Sequence, residues 1–100
     1  MNRKIVLSKR ASLKLDKLLE YLETEWSIRI KNNFIKKLDR SLQIIKENPE
    51  SSPKSNRITG LYKCVVTKQA TVYYKFDRKK LYVVTIFDTR QDPKKLNKEI

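Results

Sequence analysis

Residues 61–88 read LYKCVVTKQATVYYKFDRKKLYVVTIFD, and this stretch decides the fold. It contains three runs rich in β-branched and aromatic residues, the residue types that favour strands. The runs are Leu61–Thr67, Thr71–Phe76 and Leu81–Asp88. Only Lys68–Ala70 and Asp77–Lys80 separate them. The sequence therefore predicts two consecutive hairpins and a three-stranded antiparallel meander.

Side chains in the first two runs should alternate between the two faces of the sheet. One face then receives Tyr62, Cys64, Val66, Val72, Tyr74 and Phe76, and the opposite face receives Lys63, Val65, Thr67, Tyr73 and Lys75. The last run is apolar on both faces, which predicts a central strand that is covered on both sides.

The first half of the chain predicts one strand and two helices. Arg3–Leu7 is a short apolar run, and Ser8 can cap a helix that should end near Thr24. Ser27 can cap a second helix, which Pro49 should terminate. Apolar residues recur at helical spacing in both helices: Ala11, Leu15, Leu18, Leu22 and Trp26, then Ile30, Phe34, Leu38, Leu42 and Ile45.

The predicted fold class is α+β with the order β–α–α–β–β–β. The N-terminal strand should join the meander in one sheet, with the helices packed as a hairpin on one face and the other face open. Residues 49–57 are rich in Pro, Ser and Asn and predict an exposed loop. Residues 1–100 should form a single domain that ends in a charged tail at 92–100.

The charge of the chain is strongly positive. It has 24 Lys and Arg against 11 Asp and Glu, a formal net charge of +13. The excess is uneven, because residues 27–58 and 59–91 each carry +5 whereas residues 1–26 carry +2. Such a charge favours a polyanionic or acidic protein partner, since it costs stability through self-repulsion.

Composition also excludes several kinds of site and location. The chain has no histidine, one cysteine and one glycine, which argues against a catalytic Ser–His pair, a zinc cage and a glycine-rich phosphate loop. We therefore expect no cofactor, no metal and no small-molecule substrate. No membrane-spanning run or secretory signal is evident, so a cytoplasmic location is expected.

The candidate functional residues are cations and tyrosines of the meander. Lys63, Lys68 and Lys75 lie on or beside the strands, Arg57 precedes them and Arg90 follows them, with Tyr73 and Tyr82 as stacking surfaces. Phosphodiester cleavage could use such cations to stabilise developing charge. Alternatively, each residue is an ordinary surface or packing residue. Cys64 is expected to be a buried structural residue, and Trp26 a packing anchor.

The sequence resembles toxins of the RelE/ParE superfamily. The resemblance lies in the helical stripes that lead to Trp26-Ser27 and Pro49, in Gly60-Leu61-Tyr62-Lys63, in Val72-Tyr73-Tyr74 and in the closing FDTRQDP of residues 87–93. It spans Arg3 to about Leu96. It implies a type II toxin, which arrests growth unless an antitoxin covers it, and the same β–α–α–β–β–β fold.

The superfamily implies two mechanisms. RelE-like members are ribosome-dependent mRNA endonucleases that use Lys, Arg and often a late Tyr, and ParE-like members inhibit DNA gyrase by binding it. Lys63 and Arg90 match RelE-type catalytic positions. However, Thr71 stands about where an arginine is expected, Val65 about where a second lysine is expected, and no tyrosine follows Tyr82. These departures favour a ParE-like toxin that binds gyrase.

Two alternatives remain open: a RelE-like endonuclease that acts on mRNA at the ribosome, and a non-toxic basic nucleic-acid-binding module. For the toxin, the expected partner is a cognate antitoxin that is acidic in its binding region and folds along the toxin surface. The predicted binding face comprises Arg57, Lys63, Lys68, Tyr73, Lys75 and Arg90.

Overall fold

The structure is a computed structural model that describes residues 3–56 and 58–88. In this part of the chain the elements are β1 (Lys4–Leu7), α1 (Lys9–Glu25), α2 (Ile28–Glu47), β2 (Tyr62–Thr67), β3 (Ala70–Phe76) and β4 (Lys80–Asp88). A turn of 3₁₀ helix at Pro49–Ser51 follows α2. The predicted order of elements is confirmed, and the predicted boundaries differ from the observed ones by one residue at most.

The strands form one mixed sheet in the order β1-β4-β3-β2. The meander is antiparallel as predicted, while β1 pairs in parallel with β4. The two helices carry the chain from β1 to β2 at the opposite edge of the sheet, and the meander then brings β4 back beside β1. β4 is therefore an inner strand, and most of its residues are buried. This confirms the prediction drawn from its apolar character on both faces.

Both predicted helix caps are present. The Ser8 side chain accepts a hydrogen bond from the Ala11 backbone N–H at 2.9 Å, and Ser27 accepts one from Ile30 at 3.1 Å. Each bond satisfies a backbone donor that has no partner within its helix. The helix α2 ends directly before Asn48 and Pro49, because proline cannot continue the backbone hydrogen bonds.

The main core lies between the helical hairpin and the sheet. Its buried members are Ala11, Leu18, Leu22, Phe34, Leu38, Ile45, Ala70, Val72, Tyr74, Leu81, Val83 and Ile86. Tyr74 is completely buried, and its hydroxyl donates a hydrogen bond to the Pro49 carbonyl oxygen at 2.5 Å. This bond fixes the start of the α2–β2 connection against the centre of the sheet.

The sheet face opposite the helices, which the sequence predicts to be open, is open only in part. A second cluster of Leu61, Tyr73 and Phe87, with Ile58 and Val84 against it, covers part of this outer face. Gly60 has a φ of 88°, a conformation that glycine adopts without strain, and it lies in the turn that brings Leu61 back over the sheet. The connection also follows the edge of β2, since the Lys63 N–H donates to the Pro53 carbonyl at 2.9 Å.

Trp26 is not the packing anchor that its place in the helical stripe predicts. It lies at the turn between the helices and is 60% exposed, and Ile30 on the facing helix is 41% exposed. The core members one helical turn away, Leu22 and Phe34, are buried. The apolar stripes of both helices therefore extend about one turn beyond the surface that covers them.

Candidate functional site

The outer face of the sheet carries the candidate site in three rows that follow β3. In the middle row, Lys63 lies opposite Tyr73, and Tyr73 lies opposite Thr85 on β4. Side chains that are directly opposite on neighbouring strands point to the same face. Lys63 is half-buried. The predicted pair of Lys63 and Tyr73 is therefore brought together on one face.

Tyr73 does not present its ring for stacking. It is only 6% exposed and packs against Leu61 and Phe87. The prediction of Tyr73 as an exposed stacking surface is wrong, because strand alternation shows which face a residue points to but not what covers that face. Tyr73 instead forms part of the packed base beside Lys63.

The row nearest the β2–β3 turn contains Val65, Thr71 and Phe87. Val65 is 66% exposed, whereas Thr71 and Phe87 are buried. The two positions at which the sequence departs from the RelE-type pattern are thus directly opposite each other, next to Lys63. On this side the neighbours of Lys63 among the described residues are one apolar and one hydroxyl side chain.

The third row lies toward the β3–β4 turn. Lys75 is exposed and opposite Tyr82, and its Nζ lies 5.4 Å from the centroid of the Tyr82 ring. A cation at this distance over an aromatic face is attracted by the ring. Tyr82 therefore supports Lys75 and keeps its charge at the surface.

Two further lysines, which are not among the predicted site residues, lie on the same face. Lys4 on β1 pairs with Lys80 on β4, and both are exposed. Lys80 is two residues before Tyr82 and thus on the same face. The run DRKK at residues 77–80 carries a signal for this charge, but the same run fits a turn, and the sequence pattern does not specify the parallel partner of β1.

The outer face thus carries one lysine on each strand. We call this set the lysine belt: Lys4 on β1, Lys80 on β4, Lys75 on β3 and Lys63 on β2. Within residues 3–56 and 58–88, none of these four lysines forms a salt bridge.

Asp77 is the carboxylate next to the belt, and it stabilises the β3–β4 turn. Its Oδ1 accepts backbone hydrogen bonds from Lys79 and Lys80, both at 2.7 Å. These bonds hold the pKa of the Asp77 carboxyl below its usual value. The carboxylate therefore stays ionised and shapes the turn.

The remaining predicted site residues lie elsewhere. Lys68 is in the β2–β3 turn and lines a groove of about 370 Å³ with Phe34 and Lys37 of α2, on the helix side of the sheet. It does not join Lys63 and Lys75 on the outer face. Arg57 and Arg90 lie outside the described residues.

Cys64 faces the helices, and its thiol is half-buried against the core. Burial raises the pKa of this thiol, which keeps it protonated and poorly nucleophilic near neutral pH. Cys64 therefore packs against the core, but it is half-buried and not buried as predicted. Within the described ranges, no cluster of three or more Cys, Asp or Glu side chains could hold a metal ion. In the same ranges, no helix has the length and apolar character to cross a membrane.

The sequence profile of one protein family matches residues 5–93, and that family is the ParE toxin of type II toxin–antitoxin systems, parDE. The chain belongs to this family. The resemblance to RelE/ParE toxins drawn from the sequence is thereby confirmed. No curated protein sequence matches the chain.

Known structures of toxins share the fold of this ParE family member. The chromosomal ParDE toxin–antitoxin system of P. aeruginosa superimposes with a TM-score of 0.73 at 7% identity, covering 86% of this chain and 95% of that chain. The E. coli DinJ-YafQ toxin–antitoxin complex gives 0.62 at 14% identity, covering 90% and 96%. The YoeB dimer from Staphylococcus aureus gives 0.57 at 18% identity, covering 85% and 94%. At these identities the likeness establishes a shared fold and leaves the mechanism to the residues of each face.

Proposed function

We propose that this ParE family toxin arrests growth by binding DNA gyrase through the outer face of its sheet, without cleaving RNA. The observation that carries the proposal is the composition of the rows around Lys63. One neighbouring row supplies Val65 and Thr71, and the tyrosine opposite Lys63 is buried.

RNA cleavage by a 2′-hydroxyl needs a proton acceptor, a donor to the leaving oxygen and cations for the developing charge. Around Lys63, Val65 offers no polar group, Thr71 is buried, and the Tyr73 ring is covered by packing. The face does offer exposed charge on a rigid sheet. Such a surface suits docking to a large protein more than proton transfer to a nucleotide.

We further propose that a cognate antitoxin with an acidic binding region neutralises the toxin. Two observations support this part of the proposal. The chain carries a net charge of +13. A positively charged surface attracts an acidic partner and repels a second copy of itself. The known structures with this fold include the ParDE system of P. aeruginosa and the DinJ-YafQ toxin–antitoxin complex of E. coli.

Supercoiling of relaxed plasmid by purified gyrase tests the target. Added toxin is expected to inhibit the reaction in a dose-dependent manner. The double variant Lys63→Ala/Lys75→Ala should need about tenfold more protein, a loss of roughly 1.4 kcal/mol in binding. The matched control Lys9→Ala/Lys17→Ala removes the same charge from the exposed surface of α1 and should inhibit like the wild type.

Unchanged supercoiling over a wide range of toxin concentrations would overturn the proposal. A second arm maps mRNA ends by primer extension after induction of the toxin in cells. Intact transcripts during growth arrest support a gyrase binder. Transcripts cut at the ribosomal A site, with normal supercoiling, would instead establish a RelE-like endonuclease.

A further inference from the structure

The lysine belt spans all four strands, and the gyrase proposal draws only on Lys63 and Lys75, so that Lys4 and Lys80 have no role in it. Lys4, Lys75 and Lys80 are exposed, and Lys63 is half-buried. Neighbouring strands are about 4.8 Å apart, and the register places Lys63, Lys75 and Lys80 in successive rows, so the charges run diagonally across the four strands over roughly 20 Å. The belt is therefore a line of positive charge that runs across the sheet.

The placement of these charges works against the stability of the sheet. Lys4 and Lys80 are directly paired on adjacent strands, and like charges in such positions are destabilising. Asp77, the carboxylate in the turn, accepts bonds from two backbone N–H groups and attracts the Lys80 charge without forming a salt bridge with it among the described residues. A ligand that supplies several negative charges in a row would remove this repulsion.

We propose that the lysine belt binds the phosphodiester backbone of a nucleic acid, independently of base sequence. Two features favour this ligand over an acidic protein. The cores of protein interfaces are depleted of lysine and enriched in aromatic residues, whereas the belt consists of lysines, and Tyr82 lies beneath Lys75. Lysines that contact phosphates supply affinity without reading sequence.

The number of belt lysines fixes the expected salt dependence. Four phosphate contacts on duplex DNA give a slope of about −3.6 in a plot of log affinity against log salt. The affinity should therefore fall about 150-fold between about 50 and 200 mM salt. A single-stranded nucleic acid should give a shallower slope of about −2.8.

The test measures fluorescence anisotropy of a labelled duplex DNA and of a labelled single-stranded RNA with the full-length protein. The variant Lys4→Gln/Lys75→Gln/Lys80→Gln should reduce the slope on duplex DNA to about −0.9. The matched control Lys9→Gln/Arg10→Gln/Lys17→Gln removes three exposed charges from α1 and should keep the wild-type slope. If the triple belt variant is unfolded by circular dichroism, the single variant Lys80→Gln replaces it, with an expected change in slope of about 0.9.

Binding of either nucleic acid that depends on the belt supports the proposal, and the tighter of the two identifies the source of the phosphates. Three results would overturn it: no binding at low salt, equal losses in the belt and control variants, or equal affinity for poly-glutamate. No gyrase is present in the assay. A failure here therefore leaves the gyrase proposal standing, and a failure of gyrase inhibition leaves the belt proposal standing.

Discussion

Removal of the Tyr74 hydroxyl should destabilise the protein by about 2 kcal/mol. Tyr74 is completely buried, and its hydroxyl donates to the Pro49 carbonyl oxygen at 2.5 Å. The variant Tyr74→Phe keeps the ring in place, including its stack on Tyr62 at a centroid distance of 5.6 Å. Its cost is therefore the loss of the hydroxyl's hydrogen bonds, to the Pro49 carbonyl and with the Ser52 side chain, with no cavity.

The magnitude follows from two contributions. A typical hydrogen bond contributes about 1 kcal/mol net, and a buried carbonyl that loses its partner costs about 1–3 kcal/mol. Pro49 is buried, so water cannot readily replace the donor. For a domain of this size, about 2 kcal/mol lowers the melting temperature by roughly 8–16 °C.

Urea unfolding followed by circular dichroism measures this loss, with Tyr62→Phe as the matched control. The described residues offer no hydrogen-bond partner to the Tyr62 hydroxyl, so its removal should cost less than about 0.5 kcal/mol. Equal stabilities of the two variants would refute the reasoning. Amide exchange gives a second readout, since residues 50–56 should exchange faster in Tyr74→Phe because their anchor at Pro49 is released.

Three further predictions concern the outer face and its turn. Leu61→Ala should cost about 2–3 kcal/mol in urea unfolding, because Leu61 covers Tyr73 in the second cluster; a loss below about 0.5 kcal/mol would show that the cluster does not support the sheet. Asp77→Asn should weaken the loss of stability at low pH. The lowered pKa of Asp77 stabilises the fold at pH values above the ordinary pKa of 3.8, and this contribution disappears as the pH falls below that value. A stability difference from the wild type that is the same at pH 3 and pH 7 would contradict this. Lys80→Thr should raise stability by about 0.2–1 kcal/mol at low salt and by less at high salt, because it removes the repulsion from Lys4; no gain at low salt would contradict it.

Features that depend on local chemistry could be predicted from the sequence. Ser8 and Ser27 cap their helices as expected, since a hydroxyl before an apolar stripe satisfies a free backbone N–H. The antiparallel meander could be predicted in the same way, because a short turn can only pair the two strands that it joins as a hairpin. The pairing of Lys4 with Lys80 could not be predicted in this way, since it joins residues that are far apart in the sequence and only the assembled sheet sets their register.

The sequence pattern also could not predict which residues cover each face of the sheet. The alternation correctly placed Tyr73 with Lys63, but Ile58 and Leu61 lie over the outer face through a turn that the pattern does not specify. A bulge between Tyr73 and Tyr74 shifts the register, so that Thr85 faces Tyr73 and Val83 faces Tyr74. One extra residue in β4 thus switches which alternate residues face the helices, from Leu81 and Val83 before the bulge to Ile86 after it.

The cost of the lysine belt is itself an argument for its function. A sheet gains stability from favourable cross-strand pairs. Replacing either Lys4 or Lys80 by an uncharged β-branched residue would give a more stable pair than two lysines do. The repulsion is greatest when the face is free in low salt and least when anions occupy it. The belt and the packed cluster beside it also divide the outer face into a charged end and an apolar end, with Val65 exposed at the apolar end. On the two proposals, the lysines of the charged end contact phosphates as well as gyrase, while the exposed Val65 packs against gyrase. Variants of Lys80 and of Val65 should then weaken gyrase inhibition separately, with only the former changing its dependence on salt.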